Sequence, residues 1–126
     1  TEVIPQVGGG IDPTVKAVLN WFKSQLGKAD QVVEEWHEGA NFYRKYASGF
    51  IEQGGFKAQG AGCYVTLFKS FSSTDYSVVA TVYARESDGA EGTAQASAQD
   101  ANRFFVRTRS AGITYDDPCY WYAFGY

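Results

Sequence analysis

The first third of the chain shows an apolar pattern typical of a helix. A seven-residue repeat runs through Val15, Phe22, Ala29 and Trp36, with companion rows at Val18, Gln25 and Val32 and at Leu19, Leu26 and Val33. Asp12 can cap the free N–H groups of such a helix, and Pro13 suits its first position. Because the repeat stays in phase across Gly27, it predicts one continuous helix over residues 12–38, with Gly39 suited to end it.

Two arrangements of this helix fit the pattern. The apolar stripe uses three of every seven positions, which is wider than the two-position seam of a dimeric coiled coil. A stripe of this width suits a helix that lies on its own β domain. It also suits a helix that bundles with copies of itself, and Gln25, a polar position that can fix the register, favours a trimeric coiled-coil stalk.

Residues beyond Asn41 are rich in Tyr, Phe, Val, Thr and Gly, and their apolar positions alternate as in strands. Six strands are predicted, at residues 41–47, 50–57, 63–69, 76–84, 102–109 and 119–125. Short strands separated by turn signals, with no helices between them, favour an antiparallel β-sandwich. The fold class is therefore mainly β with an N-terminal α-helix. The predicted domains are a linker and helical stalk at residues 1–39 and a β-sandwich at residues 40–126.

Large rings occupy both faces of several predicted strands. In the last strand, Cys119, Trp121 and Ala123 alternate with Tyr120, Tyr122, Phe124 and Tyr126. The second face of the predicted sheets carries Tyr64, Phe68, Tyr83, Phe105, Tyr120, Tyr122 and Phe124. A half-solvated sheet should be polar there, so a further sheet or a neighbouring chain is expected to cover these rings. The terminal strand is expected to lie inside a sheet, and together with the helix the pattern predicts a homotrimer.

Composition and charge narrow the possible partners. The chain has 126 residues and a net charge of −3, without a run of Lys or Arg, so nucleic acid is not an expected partner. No apolar run approaches the ~18 residues of a membrane span, so membrane insertion is not expected. The absence of an initiator Met indicates a fragment or a processed chain. Cys63 and Cys119 form no C-x-x-C motif, and both a disulfide and buried free thiols remain open.

The chain offers little that could support catalysis. His37 is the single histidine, expected at the helix end, and no G-x-S-x-G context accompanies it. The glycine runs lack the Lys-Ser/Thr that phosphate-binding loops need, and Glu34–Glu35 is expected on a solvated helix face. We therefore expect no enzyme, no cofactor and no metal site, although a glycan-cleaving activity stays as a remote alternative.

Two polar loops are the predicted recognition surface. Residues 85–101 form a long loop of small polar residues, and residues 110–118 form the loop before the last strand. Candidate contact residues are Tyr115, Asp116 and Asp117, with Arg85, Glu86, Asp88 and Glu91 from the longer loop. Carboxylates beside an exposed aromatic ring can form hydrogen bonds with sugar hydroxyls or help to bind a calcium ion. A plain turn before Pro118 is the alternative.

Three stretches together resemble the C-terminal domain of phage and prophage tail-fibre proteins. They are "NFYRKYASGFIEQGG", "VTLFKSFSSTDYSVVATV" and "PCYWYAFGY", in the order that the family shows. The positions that match the family's motifs are Tyr43, Arg44, Tyr46, Gly49, Ile51, Gln53, Gly55, Phe71, Tyr76, Val78, Val79, Ala80, Thr81, Trp121, Ala123, Gly125 and Tyr126. Phe68 departs from a common proline, Ser48 from Asp or Asn, and Phe124 from a frequent Cys.

The resemblance implies a β-sandwich at the distal tip of a trimeric fibre. Such a tip attaches a virion or phage-tail-like particle to a bacterial cell by binding a surface glycan or an outer-membrane component. The matched positions are expected to be mainly structural, with receptor contacts in the loops. A trimerisation and folding cap without receptor contact is the alternative role.

Overall fold

The computed structural model describes residues 13–83 and 92–126, which form one helix and nine strands. The elements are α1 (Pro13–Lys28), β1 (Val32–Glu38), β2 (Asn41–Tyr46), β3 (Ile51–Lys57), β4 (Cys63–Thr66), β5 (Ser77–Val82), β6 (Gly92–Asp100), β7 (Arg103–Ser110), β8 (Ile113–Tyr115) and β9 (Cys119–Gly125). The chain divides into two compact units, and the second, Val32–Tyr126, contains all of these strands. The predicted fold class, mainly β after an N-terminal helix, is confirmed.

The helix is shorter than predicted, because residues 32–38 form the strand β1. This strand pairs antiparallel with β2, so that Trp36 lies opposite Tyr43 and His37 opposite Phe42. Gly39, with a φ of 59°, lies in the tight turn between the two strands rather than at a helix end. The β-branched and aromatic residues of this segment suit a strand, and their ladder to β2 outweighs the helical repeat. The prediction of one helix to residue 38 was therefore wrong, and Glu34, Glu35 and His37 lie on a strand.

A five-stranded antiparallel sheet has the order β1-β2-β3-β9-β5. The last strand, β9, lies between two neighbours: Tyr122 is opposite Gly54 of β3 on one side and Val79 of β5 on the other. The prediction that the terminal strand lies inside a sheet is confirmed. We call this five-stranded layer the large sheet.

The second sheet, the small sheet, has the order β4-β7-β6, and β8 pairs with β7 beside β4. Two of its strands lie in segments that were predicted to be loops: β6 within residues 85–101 and β8 within residues 110–118. In β6, half-buried Ala94, Ala96 and Ala98 alternate with exposed polar residues. The alternation of a strand is present, but alanines give too little hydrophobic contrast to reveal it. The six predicted strands themselves are confirmed, with slightly different ends.

The core lies between the two sheets. Phe104 and Val106 of β7 are fully buried, and Phe104 packs 5.1 Å from Trp121 of β9, measured between ring centroids. Cys119 is buried in the same cluster, and Cys63 packs against it. Both cysteines are free thiols, so the structure contains buried or half-buried thiols rather than a disulfide between them.

Candidate functional site

The predicted contact segment at residues 115–117 is fixed to the small sheet by a buried threonine. Thr108 of β7 is fully buried, and its hydroxyl donates to the carbonyl of Tyr115 at 2.6 Å. The same oxygen accepts the N–H of Asp117 at 3.2 Å, and the Thr108 N–H donates to the Gly60 carbonyl at 2.7 Å. The backbone of this segment is therefore held in place from within the domain.

The two neighbouring aspartates occupy different environments. Asp116 is exposed, and its Oδ1 accepts the N–H of Ala61 at 3.2 Å. Asp117 is only 3% exposed, beside Gly60, where a Cβ would lie 2.5 Å from the Asp117 carbonyl oxygen. Among the described residues, no group of three or more His, Cys, Asp or Glu is placed to hold a metal ion. Tyr115, half-buried at the end of β8, and Asp116 are thus the members of this trio that a large ligand can reach.

The other four predicted contact residues, Arg85, Glu86, Asp88 and Glu91, lie outside the described residues. The strand that follows them is described: Gly92, the first residue of β6, pairs with Ser110 of β7. Ser110 in turn pairs with Ile113 of β8, across a two-residue turn in which Ala111 and Gly112 both have positive φ. Gly92 and the turn between β7 and β8 therefore lie at the same end of the small sheet.

The outer face of the large sheet is aromatic, as the alternation of its strands predicted. Phe56, Tyr83 and Tyr120 are exposed and contact one another with ring centroids 5.2–6.3 Å apart. With Glu38 and Asn41 they line a hollow of about 740 Å³. That a further sheet or a neighbouring chain covers these rings stays a prediction.

A carboxylate lies within this aromatic face. Glu52 of β3 accepts the Tyr122 hydroxyl at 2.7 Å, the Tyr46 hydroxyl at 3.0 Å and Nη1 of Arg44 at 3.2 Å. Burial alone would raise the pKa of Glu52, but these three hydrogen bonds outweigh it and lower the pKa below its ordinary value. Burial, reinforced by the hydrogen bond to Glu52, raises the pKa of Tyr122 to about 12.

A second ion pair joins β1 to the segment after β4. Nζ of Lys69 donates to Glu34 at 2.7 Å, and the Tyr43 hydroxyl donates to the same carboxylate oxygen at 3.2 Å. The Lys69 hydrogen bond is the main reason why the pKa of Glu34 is lowered. Sequence reasoning missed this pair because it assigned Glu34 to a helix. The signal that could have revealed it was the strand-like composition around Val32, Val33 and Trp36.

The chain thus has the fold of a two-sheet antiparallel β domain preceded by a helix. Solved structures with a similar fold include R-type pyocin tail fibres. An N-truncated R2-type pyocin tail fibre matches the whole chain with a TM-score of 0.60 and 18% identity, over 49% of that fibre. A C-terminal part of the P. aeruginosa R2 pyocin fibre also matches the whole chain, with a TM-score of 0.60 and 17% identity, over 33% of its length. An N-truncated R1-type pyocin tail fibre matches 85% of this chain with a TM-score of 0.53 and 12% identity, over 95% of its own length.

The resemblance to tail fibres that the sequence motifs indicate is thus confirmed as a likeness of fold. This chain spans about half, or less, of the R2 fibres that it matches. No protein-family model matches the chain, and no curated protein matches it in sequence. Within residues 13–83 and 92–126, no helix has both the length and the apolar character needed to cross a membrane.

Proposed function

We propose that this chain is the receptor-binding tip of a tail fibre carried by a phage or a phage-tail-like particle. The observation that carries the proposal is the match of its entire length to R-type pyocin tail fibres. In this role the β domain binds a glycan or another outer-membrane component on a bacterial cell, without chemical conversion of the receptor.

The two-sheet domain suits this role because it presents its loops from a rigid base. Thr108 fixes the backbone at Tyr115 and Asp117, so the exposed Asp116 is held in a defined position. A preorganised contact loses less conformational entropy on binding than a mobile one. If α1 assembles three copies, as its apolar stripe favours, three weak sites act together and gain affinity through avidity.

Binding of the purified chain to bacterial cells tests the proposal. We expect saturable binding of the labelled chain to some strains of a panel. Loss of that binding after the surface glycans are removed identifies a glycan receptor, and retained binding identifies another outer-membrane component. The double variant Tyr115→Ala/Asp116→Ala should bind at least about tenfold more weakly, because it removes a ring and an exposed carboxylate from one site. Asp117 is kept, since it is buried and its replacement would disturb the fold.

Asp75→Ala is the control, because Asp75 is also an exposed aspartate in a loop of the β domain. It should bind like the parent chain. Parent-like binding by the Tyr115/Asp116 variant would remove the assignment of these contact residues. Some strains adsorb the phage or phage-tail-like particle that carries this fibre. If the parent chain bound none of these strains, the proposed function itself would be contradicted.

A trimerisation and folding cap is the second candidate, and the exposed apolar surfaces of the chain favour it. Large aromatic rings are exposed on both parts of the chain: Phe56, Tyr83 and Tyr120 on the large sheet, and Phe22 on α1. A surface that packs against other copies in a trimer is expected to be exposed in this way in a single chain. A cap predicts a stable trimer that neither binds cells nor competes with particles for adsorption. The cell-binding experiment therefore separates the two functions.

A further inference from the structure

The outer face of the small sheet carries a row of arginines that has no part in the contacts proposed above. Arg103, Arg107 and Arg109 alternate along β7 with core residues, so they share its outward face with Phe105. We call these four residues the arginine face. The chain as a whole carries a net charge of −3, so this face is a local concentration of positive charge.

The three arginines differ in their partners. Nε of Arg103 pairs with Asp100 at 3.0 Å, and its guanidinium lies 4.3 Å from the Tyr64 ring centroid. Neither Arg107 nor Arg109 forms an ion pair with any described carboxylate. Nε of Arg109 is buried and has no hydrogen-bond partner among the described residues. Because this Nε has almost no accessible surface, a ligand could contact only the other nitrogens of the Arg109 guanidinium.

Arg107 lies over an aromatic ring of its own strand and beside a glycine. Its guanidinium carbon lies 5.3 Å from the centroid of the Phe105 ring, a distance typical of a cation–π contact. Gly62 lies beside it, where a Cβ would be 3.5 Å from Nε of Arg107. The planar edge of a guanidinium binds carboxylate or phosphate through two parallel hydrogen bonds.

Uncharged hydrogen-bonding residues lie opposite Arg107 and Arg109 in the strand ladders. In the ladder with β6, Gln95 is opposite Arg107 and Thr93 is opposite Arg109, and both are exposed. On the other side of β7, Thr114 is opposite Arg109. None of these neighbours would repel an anion. Amide and hydroxyl groups can donate to and accept from sugar hydroxyls.

A groove adjoins the arginine face. Arg107, Phe105, Gln95 and Ser97 form part of its lining, together with residues 78–80 of the edge strand β5. Its volume is about 610 Å³, within the range of about 300–1,000 Å³ that is usual for small-molecule sites. The groove thus combines a cation, an aromatic ring and uncharged polar groups in a space that fits one or two sugar rings.

We propose that the arginine face and this groove bind an acidic sugar unit, one that carries a carboxylate or a phosphate, within a bacterial surface glycan. Arg107 and Arg109 bind the anionic group from positions roughly 7 Å apart along one face of the strand. Gln95 and Ser97 bind neighbouring hydroxyls. This inference rests on the proposed receptor-binding function and specifies its ligand class. Charge complementarity and the hydrogen-bonding neighbours favour a glycan, whereas the net negative charge of the chain disfavours nucleic acid.

Calorimetric titration of the full chain with four probes tests this inference. The probes are a neutral oligosaccharide, a uronate-containing oligosaccharide, a phosphorylated oligosaccharide, and a DNA oligonucleotide of matched charge. We expect at least one acidic oligosaccharide to bind, and we expect this binding to weaken as salt is added. Whether the uronate or the phosphorylated oligosaccharide binds identifies carboxylate or phosphate as the recognised group. Arg107→Gln/Arg109→Gln should weaken this binding at least about tenfold, and Arg107→Lys should weaken it less, because a lysine keeps the charge but loses the paired hydrogen bonds.

Lys16→Gln/Lys23→Gln is the matched control, because it removes the same charge from polar positions of α1. It should bind like the parent, and thermal unfolding followed by circular dichroism establishes that each variant is folded. Equal binding by the folded Arg107→Gln/Arg109→Gln variant would overturn the inference, as would DNA binding as tight as glycan binding. Binding of neutral sugars only would overturn it and leave the receptor-binding function intact. If no probe binds and the chain also fails to bind cells, both proposals fail.

Discussion

Gln53 shows how one side chain can connect two segments of this domain. It lies in β3 and is fully buried. Its Oε1 accepts the N–H groups of Phe68 and Lys69 at 2.9 and 3.0 Å, and its Nε2 donates to the Lys69 carbonyl at 2.7 Å. One amide therefore satisfies three backbone groups in the segment that follows β4. This accounts for a glutamine at a position that matches the tail-fibre motif.

We expect Gln53→Ala to lower the free energy of unfolding by about 3 kcal/mol, because it leaves these backbone groups without partners and opens a cavity. Urea unfolding of the variant and the parent measures the difference. Gln99→Ala is the control: Gln99 is exposed on β6, and within the described part of the chain its side-chain amide donates only to the Ser97 hydroxyl, at 3.1 Å. A loss below about 1 kcal/mol for Gln53→Ala would show that water replaces the missing hydrogen bonds.

At the scale of elements, Glu52 ties together three strands of the large sheet. It belongs to β3, accepts hydrogen bonds from Arg44 and Tyr46 of β2, and accepts a third from Tyr122 of β9. Its carboxylate lies among aromatic rings, where a charge needs several donors to be stable. The ionisation of this single group therefore affects the pairing of the strands on both sides of β3.

The lowered pKa of Glu52 predicts loss of stability in acid. A carboxyl group whose pKa is lower in the folded state stabilises the fold above its unfolded pKa, with an ordinary value of 4.5, and this contribution disappears as the pH falls through the folded pKa. We expect Glu52→Gln to cost on the order of 1–3 kcal/mol at pH 7 and to reduce the difference in stability between pH 7 and pH 3. Urea unfolding across this range measures both effects. Glu38→Gln, which removes the same charge at an exposed strand end, is the control and should keep the stability at pH 7 close to that of the parent.

The same cluster predicts a loss of stability in alkali. Because the pKa of Tyr122 is raised from 10 to about 12, the folded state keeps this hydroxyl protonated after the unfolded chain has lost its proton. The contribution of the Tyr122 hydroxyl to the free energy of unfolding is fully present below pH 10 and is lost as the pH rises through 12. Tyr122→Phe should remove this part of the alkaline decline. A variant that declines as steeply as the parent would show that other groups cause it.

Strands with strong hydrophobic contrast were predictable from the sequence, and those without it were not. β9 alternates Trp121 and Ala123 with exposed or half-exposed rings, and its interior position followed from its two apolar faces. β6 buries only alanine side chains on its inner face, so it was predicted to be a loop. β1 satisfies a helical repeat as well as a strand pattern, and only its pairing with β2, a long-range contact, decides between them.

Recognition chemistry was harder to predict than the fold, because a site joins residues from several strands. Sequence reasoning proposed Tyr115 and Asp116, which are neighbours in the chain. It did not find that Gln95 lies opposite Arg107, since β6 was not recognised and the pairing of two strands cannot be read from spacing alone. The alternation of arginines in β7 was visible, but its significance depends on that pairing.

For the molecule as a whole, the helix and the β domain are separate compact units. With 16 residues, α1 is roughly 24 Å long and covers two repeats of the heptad instead of three. An isolated helix of this length is only marginally stable in water, so burial of its apolar side must contribute most of its stability. Phe22 and Leu26 are 53% and 58% exposed in the single chain. Association with other copies of α1 is one arrangement that would cover them.

We therefore expect the full chain to form a trimer, with a mass about three times the 13.8 kDa of one chain, and to dissociate when the helix loses its apolar side. Phe22→Asp/Leu26→Asp should give a monomer in sedimentation equilibrium, because two buried charges per helix cannot be compensated in a three-helix core. Asn20→Asp/Ser24→Asp adds the same charge at positions outside the apolar rows and should remain trimeric. A parent chain that sediments as a 13.8 kDa monomer at all concentrations would contradict both the stalk and the avidity that the proposed function draws from it. If the parent and the Phe22/Leu26 variant were both trimeric, assembly would not depend on the apolar side of α1, and the exposed aromatic face of the β domain would then be the expected interface.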